Sequence, residues 1–507
     1  MLLWIRKVYL DHNATSPMAV AVRRELAAVG HDAFGNASSL HSPGRRARGC
    51  VDAARNSVAL LVGGAPERIF FTSGGTEANN AVIKGVFAQA GGRGHIVTTR
   101  IEHESVIGAC RQVEQLGGQV TYVPAERDGR VLPERIRAAL RPETVLISVM
   151  HANNETGAIQ AVQEIGAVAR AANVPFHTDA VQAAGKIPID VDALGCEFLT
   201  LSAHKINGPK GVGAIYWRGA RPWLPLVCGG DQEHGMRAGT EPVHQIAAFG
   251  VASRLAMQRM TLEQRRLAFL RAYLVKGLQK LVPDLIIHEA EPSYQLPGTL
   301  NLAFPGQAGI RVLAGLDCVG VAVSVGSACT ADRVEPSHTL IGMGISETEA
   351  LASIRVSMGV TTSRRDLNYF VRVLPEILRG FPKGLAYLDP QHLTQERLSS
   401  PSSFVVDLRV SLQRLVSAPI PSASRWSPVN VERHFKKVPR DKEVILICDT
   451  GYLSLLAGHR LARWGHPNVK VLYGGYVAWN SLQPGGHAAT HQDGAGGQAR
   501  RSEACPP

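Results

Sequence analysis

Short apolar runs recur along the first half of the chain, and each breaks at a polar or glycine-rich turn. Ile69-Phe70-Phe71-Thr72, Ile96-Val97-Thr98-Thr99, Val145–Met150, Val174–Thr178, Phe198–Leu201 and Val212–Trp217 read as strands. Helical patterns lie between them, such as the segment that follows Gly44-Arg45 through Val62, the one through Ala88, and Gln160–Ala171. Strand alternating with helix predicts an α/β domain with a mostly parallel sheet. The region Val243–Leu281 predicts a long helix leading into a smaller domain. After Leu378 the composition shifts. Asp389-Pro390 and Ser399-Ser400-Pro401-Ser402-Ser403 predict a linker over 389–401. Beyond it Phe404–Val406, Val444–Ile447 and Val469–Leu472 read as strands, with a helix from about Leu455 to Trp464. The segment 485–507 is rich in Gly, Ala, Gln and charged residues and predicts a disordered tail.

A chain of 507 residues suggests two or three domains. With 45% hydrophobic and 19% charged residues it has a globular, soluble balance. No apolar run reaches the ~20 residues that span a bilayer, and the opening Met1–Lys7 has no signal-peptide pattern. A cytoplasmic protein is expected. The formal charge is +12, which can mean nucleic acid or an acidic partner protein, but the arginines are scattered, so nucleic acid is not expected as a direct partner. The 8 cysteines include no Cys-x-x-Cys pair, which predicts reduced thiols and neither a zinc site nor a disulfide framework.

The candidate chemistry gathers at strand ends. Lys205 closes the Phe198–Leu201 run. It reads either as a solvated lysine or as one that holds pyridoxal 5'-phosphate covalently. Ser202 and His204 beside it can hold a phosphate, and Asp179, at another strand end, offers the carboxylate that a pyridinium nitrogen needs. Gly74-Gly75-Thr76 turns from strand into helix, where backbone N–H groups and the helix dipole favour a phosphate.

The stretch Ser-Ala-His-Lys-Ile-Asn-Gly-Pro-Lys-Gly-Val-Gly, residues 202–213, resembles the lysine motif of the cysteine desulfurases (NifS/IscS type), within the class-V aminotransferases. The resemblance runs from about Val8 to about Leu378, with motifs in family order. It implies a fold-type-I large domain (about 16–260) with a mostly parallel sheet. A smaller α+β domain, from the amino-terminal segment and about 261–388, would complete a desulfurase unit of residues 1–388. It implies pyridoxal 5'-phosphate bound by Gly75, Thr76, His103, Asn154, Asp179, Gln182, Ser202, His204 and Lys205, with Thr240 reaching the phosphate of a partner subunit in a homodimer. His103 would stack on the ring and shuttle protons. Asn36, Asn154 and Arg355 would bind L-cysteine. Gly326-Ser327-Ala328-Cys329-Thr330, followed by Glu335-Pro336-Ser337, resembles the longer, flexible-loop class, and this implies Cys329 as the nucleophile that carries a persulfide to a sulfur-acceptor protein, an iron–sulfur scaffold or a thiolation enzyme. Catalysis would rest on Cys329, Lys205 and His103, without a metal. The chain departs from the family at Ala37, where proline is usual, and at Asp231, where glycine is.

Residues 402–484 resemble a rhodanese domain: Asp407-Leu408-Arg409 after a strand, the Cys448 loop, and Gly474-Gly475 ahead of Trp479. The active loop pattern is Cys-Arg-x-Gly-x-Arg-Ser, and here Asp449 and Leu453 replace both arginines. Asp449 is expected to raise the thiol pKa and repel anions. Cys448 is then either a sulfur relay from Cys329 or part of a docking module. Two other readings of the whole remain: a selenocysteine lyase or other class-V enzyme, and a non-catalytic sulfur-carrier adaptor.

Overall fold

The computed structural model describes residues 7–326, 335–410, 419–420 and 422–482. The large domain is built on a seven-stranded sheet. Its strands lie in the order Ile69–Thr72, Gly213–Trp217, Phe198–Ser202, Phe176–Asp179, Thr144–Ser148, His95–Thr99, Gln119–Val123. All neighbours are parallel except Gly213–Trp217, which runs antiparallel to both of its own. Four of the strands are buried at every residue, including the two that end in Asp179 and Ser202. Helices cover both faces, so each strand reads as a continuous apolar run without alternation.

The helix Val243–Leu281 is 39 residues long and joins the large domain to the small one. In the small domain the strands Ser353–Ser357, Thr299–Ala303 and Ile286–His288 form an antiparallel sheet, and Val8–Tyr9 pairs with Val321–Ala322. The amino-terminal segment thus belongs to the small domain and then crosses to the large one.

The carboxyl-terminal domain is a five-stranded, all-parallel sheet in the order Leu385–Leu388, Val469–Leu472, Glu443–Ile447, Ser403–Asp407, Ser424–Arg425. Here the structure corrects the expected boundary. Residues 389–401 are not a linker. Asp389 caps a turn at Pro390–His392, Thr394 caps the helix Gln395–Ser399, and Leu393 and Leu398 are buried against Leu388 and Trp479. The strand Leu385–Leu388 before them is already the edge of this sheet. The helix Tyr452–Arg463 packs on Gly309–Cys318 of the small domain, where Arg460 bonds Asp317 at 3.1 Å. No described helix is long and apolar enough to cross a membrane.

Candidate active site

A cavity of about 270 Å³ opens at the carboxyl ends of the parallel strands, where open α/β sheets bind ligands. Gly75, Thr76, His103, Asn154, Asp179, Gln182, Ser202, His204, Lys205 and Arg355 all line it. Nearly the whole expected set is therefore brought to one place by the topology. Asn36 is not. It is exposed, and its Oδ1 accepts from the Ser38 N–H at 2.9 Å, closing its own turn. Thr240 is exposed and does not line the cavity. Cys329 lies outside the described residues.

Lys205 sits on a short 3-10 turn, Ala203–Ile206, that follows its strand. Its Nζ donates to the carbonyls of Asn13 at 2.6 Å and Ala14 at 2.8 Å. Asp179 accepts from the Val181 N–H at 2.9 Å and from Asn79 Nδ2 at 2.7 Å. Asn79 also donates to Ser105 Oγ at 2.8 Å. Ser105 in turn reaches His103 Nδ1 through its hydroxyl at 2.8 Å and its N–H at 3.1 Å. A backbone N–H can only donate, so Nδ1 is the acceptor and the mobile proton of His103 sits on Nε2. This chain of bonds ties the Asp179 carboxylate to the His103 ring through Asn79 and Ser105. His204 contacts Thr15 Oγ1 at 3.1 Å, and burial, followed by the charges of Lys205 and Lys210, pushes its pKa down to about 4. It is a neutral donor at physiological pH.

Gly75 opens the helix Gly75–Gln89. A Cβ there would fall 2.9 Å from Val181, so only glycine lets the turn close against the Asp179 loop. The first N–H groups of that helix have no intrahelical acceptor and line the cavity's end. Arg355, on Ser353–Ser357, is 1% exposed. Its Nη2 pairs with Asp11 at 2.7 Å and its Nη1 donates to the Asn154 carbonyl at 3.3 Å. Its Nε, like Asn79 Oδ1, is buried and has no partner among the described residues. Two orphaned polar atoms on residues lining one cavity, a lysine, a carboxylate and a helix N-terminus fit a phosphorylated pyridine together with an amino-acid substrate.

Sequence reasoning missed the residue that joins these parts. Asn13 takes Lys205 on its carbonyl, donates through Nδ2 to the Asn154 carbonyl at 3.1 Å and Thr299 at 2.9 Å, and receives the Gln182 amide at 2.9 Å. In the sequence it stands only in a short polar stretch, Asp11-His12-Asn13, after Val8-Tyr9-Leu10.

Arg355→Ala should raise the KM for the substrate by about 10- to 150-fold, the effect of losing a hydrogen bond to a charged group. Cofactor absorbance should not change. An unaltered KM would show that the carboxylate is held elsewhere.

In the carboxyl-terminal domain Cys448 ends the strand Glu443–Ile447 and is buried. Its Sγ accepts from the N–H groups of Gly451 at 3.2 Å and Ser454 at 3.3 Å, with Ser454 Oγ also 3.3 Å away. Burial raises the thiol pKa, and the bonds from Ser454, Gly451 and Thr450 oppose it. The effect expected of Asp449 is corrected. Its carboxylate accepts from the Val410 N–H at 3.4 Å and feels the charge of Arg409, so burial, not Asp449, dominates at the thiol. Arg409 is itself buried, bonded to Asp407 and stacked 4.2 Å over Tyr476.

Comparison with known proteins agrees with this geometry. The family model "Aminotransferase class-V" matches residues 8–370, and "Rhodanese-like domain" matches 391–482. A cysteine desulfurase IscS from Dictyoglomus turgidum is 43% identical over 374 residues, 74% of this chain and 95% of the relative. One from an Anaeromyxobacter species is 43% identical over 378 residues, 73% and 92%. Among solved structures, a NifS-like protein matches with a TM-score of 0.69 at 34% identity, over 74% of this chain and all of its own. A NifS-like protein from Rickettsia africae matches with 0.67 at 32%, over the same shares. The fold and site define a pyridoxal 5'-phosphate enzyme. The chain belongs to the class-V aminotransferase family and carries a rhodanese-like domain at its carboxyl end.

Proposed function

We propose that this chain is a cysteine desulfurase that moves the sulfur of L-cysteine to Cys329 and releases L-alanine. The observation that carries the reading is the cavity in which Lys205, Asp179 and a buried Arg355 with an unpartnered Nε converge. A solved structure titled "SspA in complex with cysteine", 34% identical with a TM-score of 0.62, covers 69% of this chain and 99% of its own. Bound in the cavity, the cofactor supplies an electron sink for the substrate carbons. Lys205 holds it covalently. Gly75, Thr76, Ser202 and His204 take its phosphate, Asp179 its ring nitrogen and Gln182 its phenolic oxygen. His103 would stand against the ring, with Nδ1 accepting from Ser105 and its proton on Nε2. Arg355 and Asn154 orient the substrate carboxylate. The Cys329 thiolate would attack the substrate sulfur; an S–S bond forms as the C–S bond breaks, the electron pair of the C–S bond stays with the substrate carbon, which takes up a proton on the way to alanine, and the persulfide stays on Cys329 until an acceptor thiolate takes its terminal sulfur. Purified protein given cysteine and a reductant should yield alanine and sulfide in equal amounts. A keto acid would indicate an aminotransferase, and a strong preference for selenocysteine would indicate the lyase. The exposure of Thr240 supports its service to a partner subunit in a homodimer. Six free thiols among the described residues support a reducing, cytoplasmic setting.

The rhodanese-like domain extends the reading to a relay. A second cavity of about 320 Å³ is lined by Val325, Gly326 and Glu335 on one side and by Thr450, Gly451 and Tyr452 on the other. The first group flanks the segment that carries Cys329, and the second is the tip of the Cys448 loop. The Cys448 thiolate attacks the terminal sulfur of the Cys329 persulfide, and Cys329 leaves as a thiolate. The donors around Cys448 Sγ are neutral, which suits a persulfide handed over within the chain more than free thiosulfate. After a pulse of sulfur-labelled cysteine, mass spectrometry should find label on both Cys329 and Cys448, and on neither in Cys329→Ser. Label on Cys329 alone at every time point would leave the domain as a docking module.

A further inference from the structure

Behind the wall of the active-site cavity lies a lysine that the reaction as described does not use. Lys186 and Gln182 are four residues apart in the turn that follows Asp179, and this spacing puts both side chains on one face. Lys186 Nζ donates to Gln182 Oε1 at 2.6 Å and to Asn13 Oδ1 at 3.1 Å. It has no carboxylate within ion-pair distance among the described residues. Burial pushes its pKa down to about 7, and the charges of Lys205 and Arg355 act in the same direction. A buried amine without an acid is destabilising unless it does something for its neighbours. Its backbone is fixed from outside: Gln264 on the long helix donates to the Lys186 carbonyl at 2.7 Å. At Gly185 (φ 69°) a Cβ would fall 2.7 Å from Ala256 of the same helix.

We propose that Lys186 is a positioning residue for the cofactor: it holds the carbonyl oxygen of Gln182, so that the amide can present only N–H to the cavity. The consequence follows from the inventory of an amide, one acceptor oxygen and two N–H groups. The oxygen is taken by Lys186. One N–H goes to the Asn13 carbonyl at 2.9 Å, the carbonyl that also receives Lys205. The remaining N–H is committed to an acceptor in the cavity that Gln182 lines. An ammonium on the oxygen polarises the amide and strengthens that donor. A cofactor oxygen facing Gln182 is thereby kept anionic. The second bond, to Asn13 Oδ1, ties Gln182 to Asn13, the residue whose carbonyl receives Lys205. Lys186 thus orders two residues of the site, Gln182 and Asn13, without itself lining that cavity.

The inference rests on the reading of Gln182 as a cofactor contact, and the test separates the two. The readout is the pH midpoint of the visible absorbance of the bound cofactor. Lys186→Met removes a cation and the polarised donor, both of which favour the deprotonated form, so the midpoint should rise by about one unit. Lys186→Arg should restore most of the wild-type value. The other charged groups around the amine stay in place in every variant: Lys205, Arg355 with Asp11, His12, and Arg259, Glu263 and Arg266 of the long helix. Gln182→Ala should raise the midpoint by a similar amount, and adding Lys186→Met to it should add little. If Lys186→Met does not bind cofactor, Lys186→Gln keeps a donor without the charge and should give a smaller rise. A midpoint moved by Gln182→Ala but not by Lys186→Met overturns the proposal and leaves the cofactor reading standing. So does a Lys186→Met shift that persists undiminished without Gln182. No shift in Gln182→Ala overturns the Gln182 contact itself, and the proposal with it.

Discussion

Lys205→Ala is expected to fall in turnover by at least about 10³-fold while remaining folded. In the proposed function the amine does two things that no neighbour replaces. It would hold the cofactor covalently and carry a proton from its place just after the Phe198–Ser202 strand, where it lines the same cavity as His103 and Asn154. Its packing role is small by comparison. The carbonyls of Asn13 and Ala14 lose a donor, but a cavity of about 270 Å³ has room for water to take its place. The loss of stability should therefore stay below about 2 kcal/mol. The decisive measurement is retention of cofactor. After borohydride reduction the wild-type protein should keep it through denaturation, and the variant should lose it. If the variant kept a covalent cofactor, Lys186, the other amine bonded to Asn13, would be the anchor, and both the assignment of Lys205 and the positioning role of Lys186 would fall.

What the sequence made legible follows physical lines. Strands such as Ile69–Thr72 and Phe198–Ser202 are buried on both faces, so their composition alone announces them. Residues at the carboxyl ends of such strands, Asp179 and Ser202 among them, converge once the sheet is parallel. The hidden features depend on contacts between distant parts of the chain. Asn13 acts through partners 141 to 286 residues away, and nothing local distinguishes it from an ordinary turn asparagine. Lys186 looks like any surface lysine until Gln182 and Asn13 are seen to enclose its amine. The segment 389–401 reads as a linker because Ser and Pro dominate its end, yet two leucines, Leu393 and Leu398, suffice to fold it onto the sheet. Asp449 was misjudged for a different reason. Adjacency in sequence to Cys448 does not aim a carboxylate at the thiol; the chain turns there, and the carboxylate faces Val410 and Arg409 instead.

Cys329→Ser should bind cofactor and cysteine normally yet release sulfide at a rate lower by at least about 10³-fold, the scale on which removing a nucleophile acts. The argument begins with the other thiols. No described cysteine lines the active-site cavity. Burial raises the pKa of Cys110, Cys196 and Cys318, the last to about 12 although the charge of Arg460 opposes it. Cys448 is enclosed by its own loop in another domain. The frame for Cys329 is different. Ser324 pairs with Arg355 through two backbone bonds, 3.1 and 2.6 Å, so the chain leaves for Cys329 from beside the substrate-binding arginine. On the far side Ser337 donates to Glu155 at 2.6 Å, next to Asn154. Cys329 is five positions beyond Ser324, a contour of at most about 18 Å. A tether of that length permits a thiol at position 329 to reach the cavity. A serine hydroxyl is a poor acceptor for sulfur, so the substrate should still bind through Arg355 while its sulfur stays in place. The check is sulfide and alanine measured together under reductant, with the KM for cysteine as control. Wild-type sulfide release would move the nucleophile to another thiol. Continued conversion to a keto acid, independent of Cys329, would instead make the enzyme an aminotransferase.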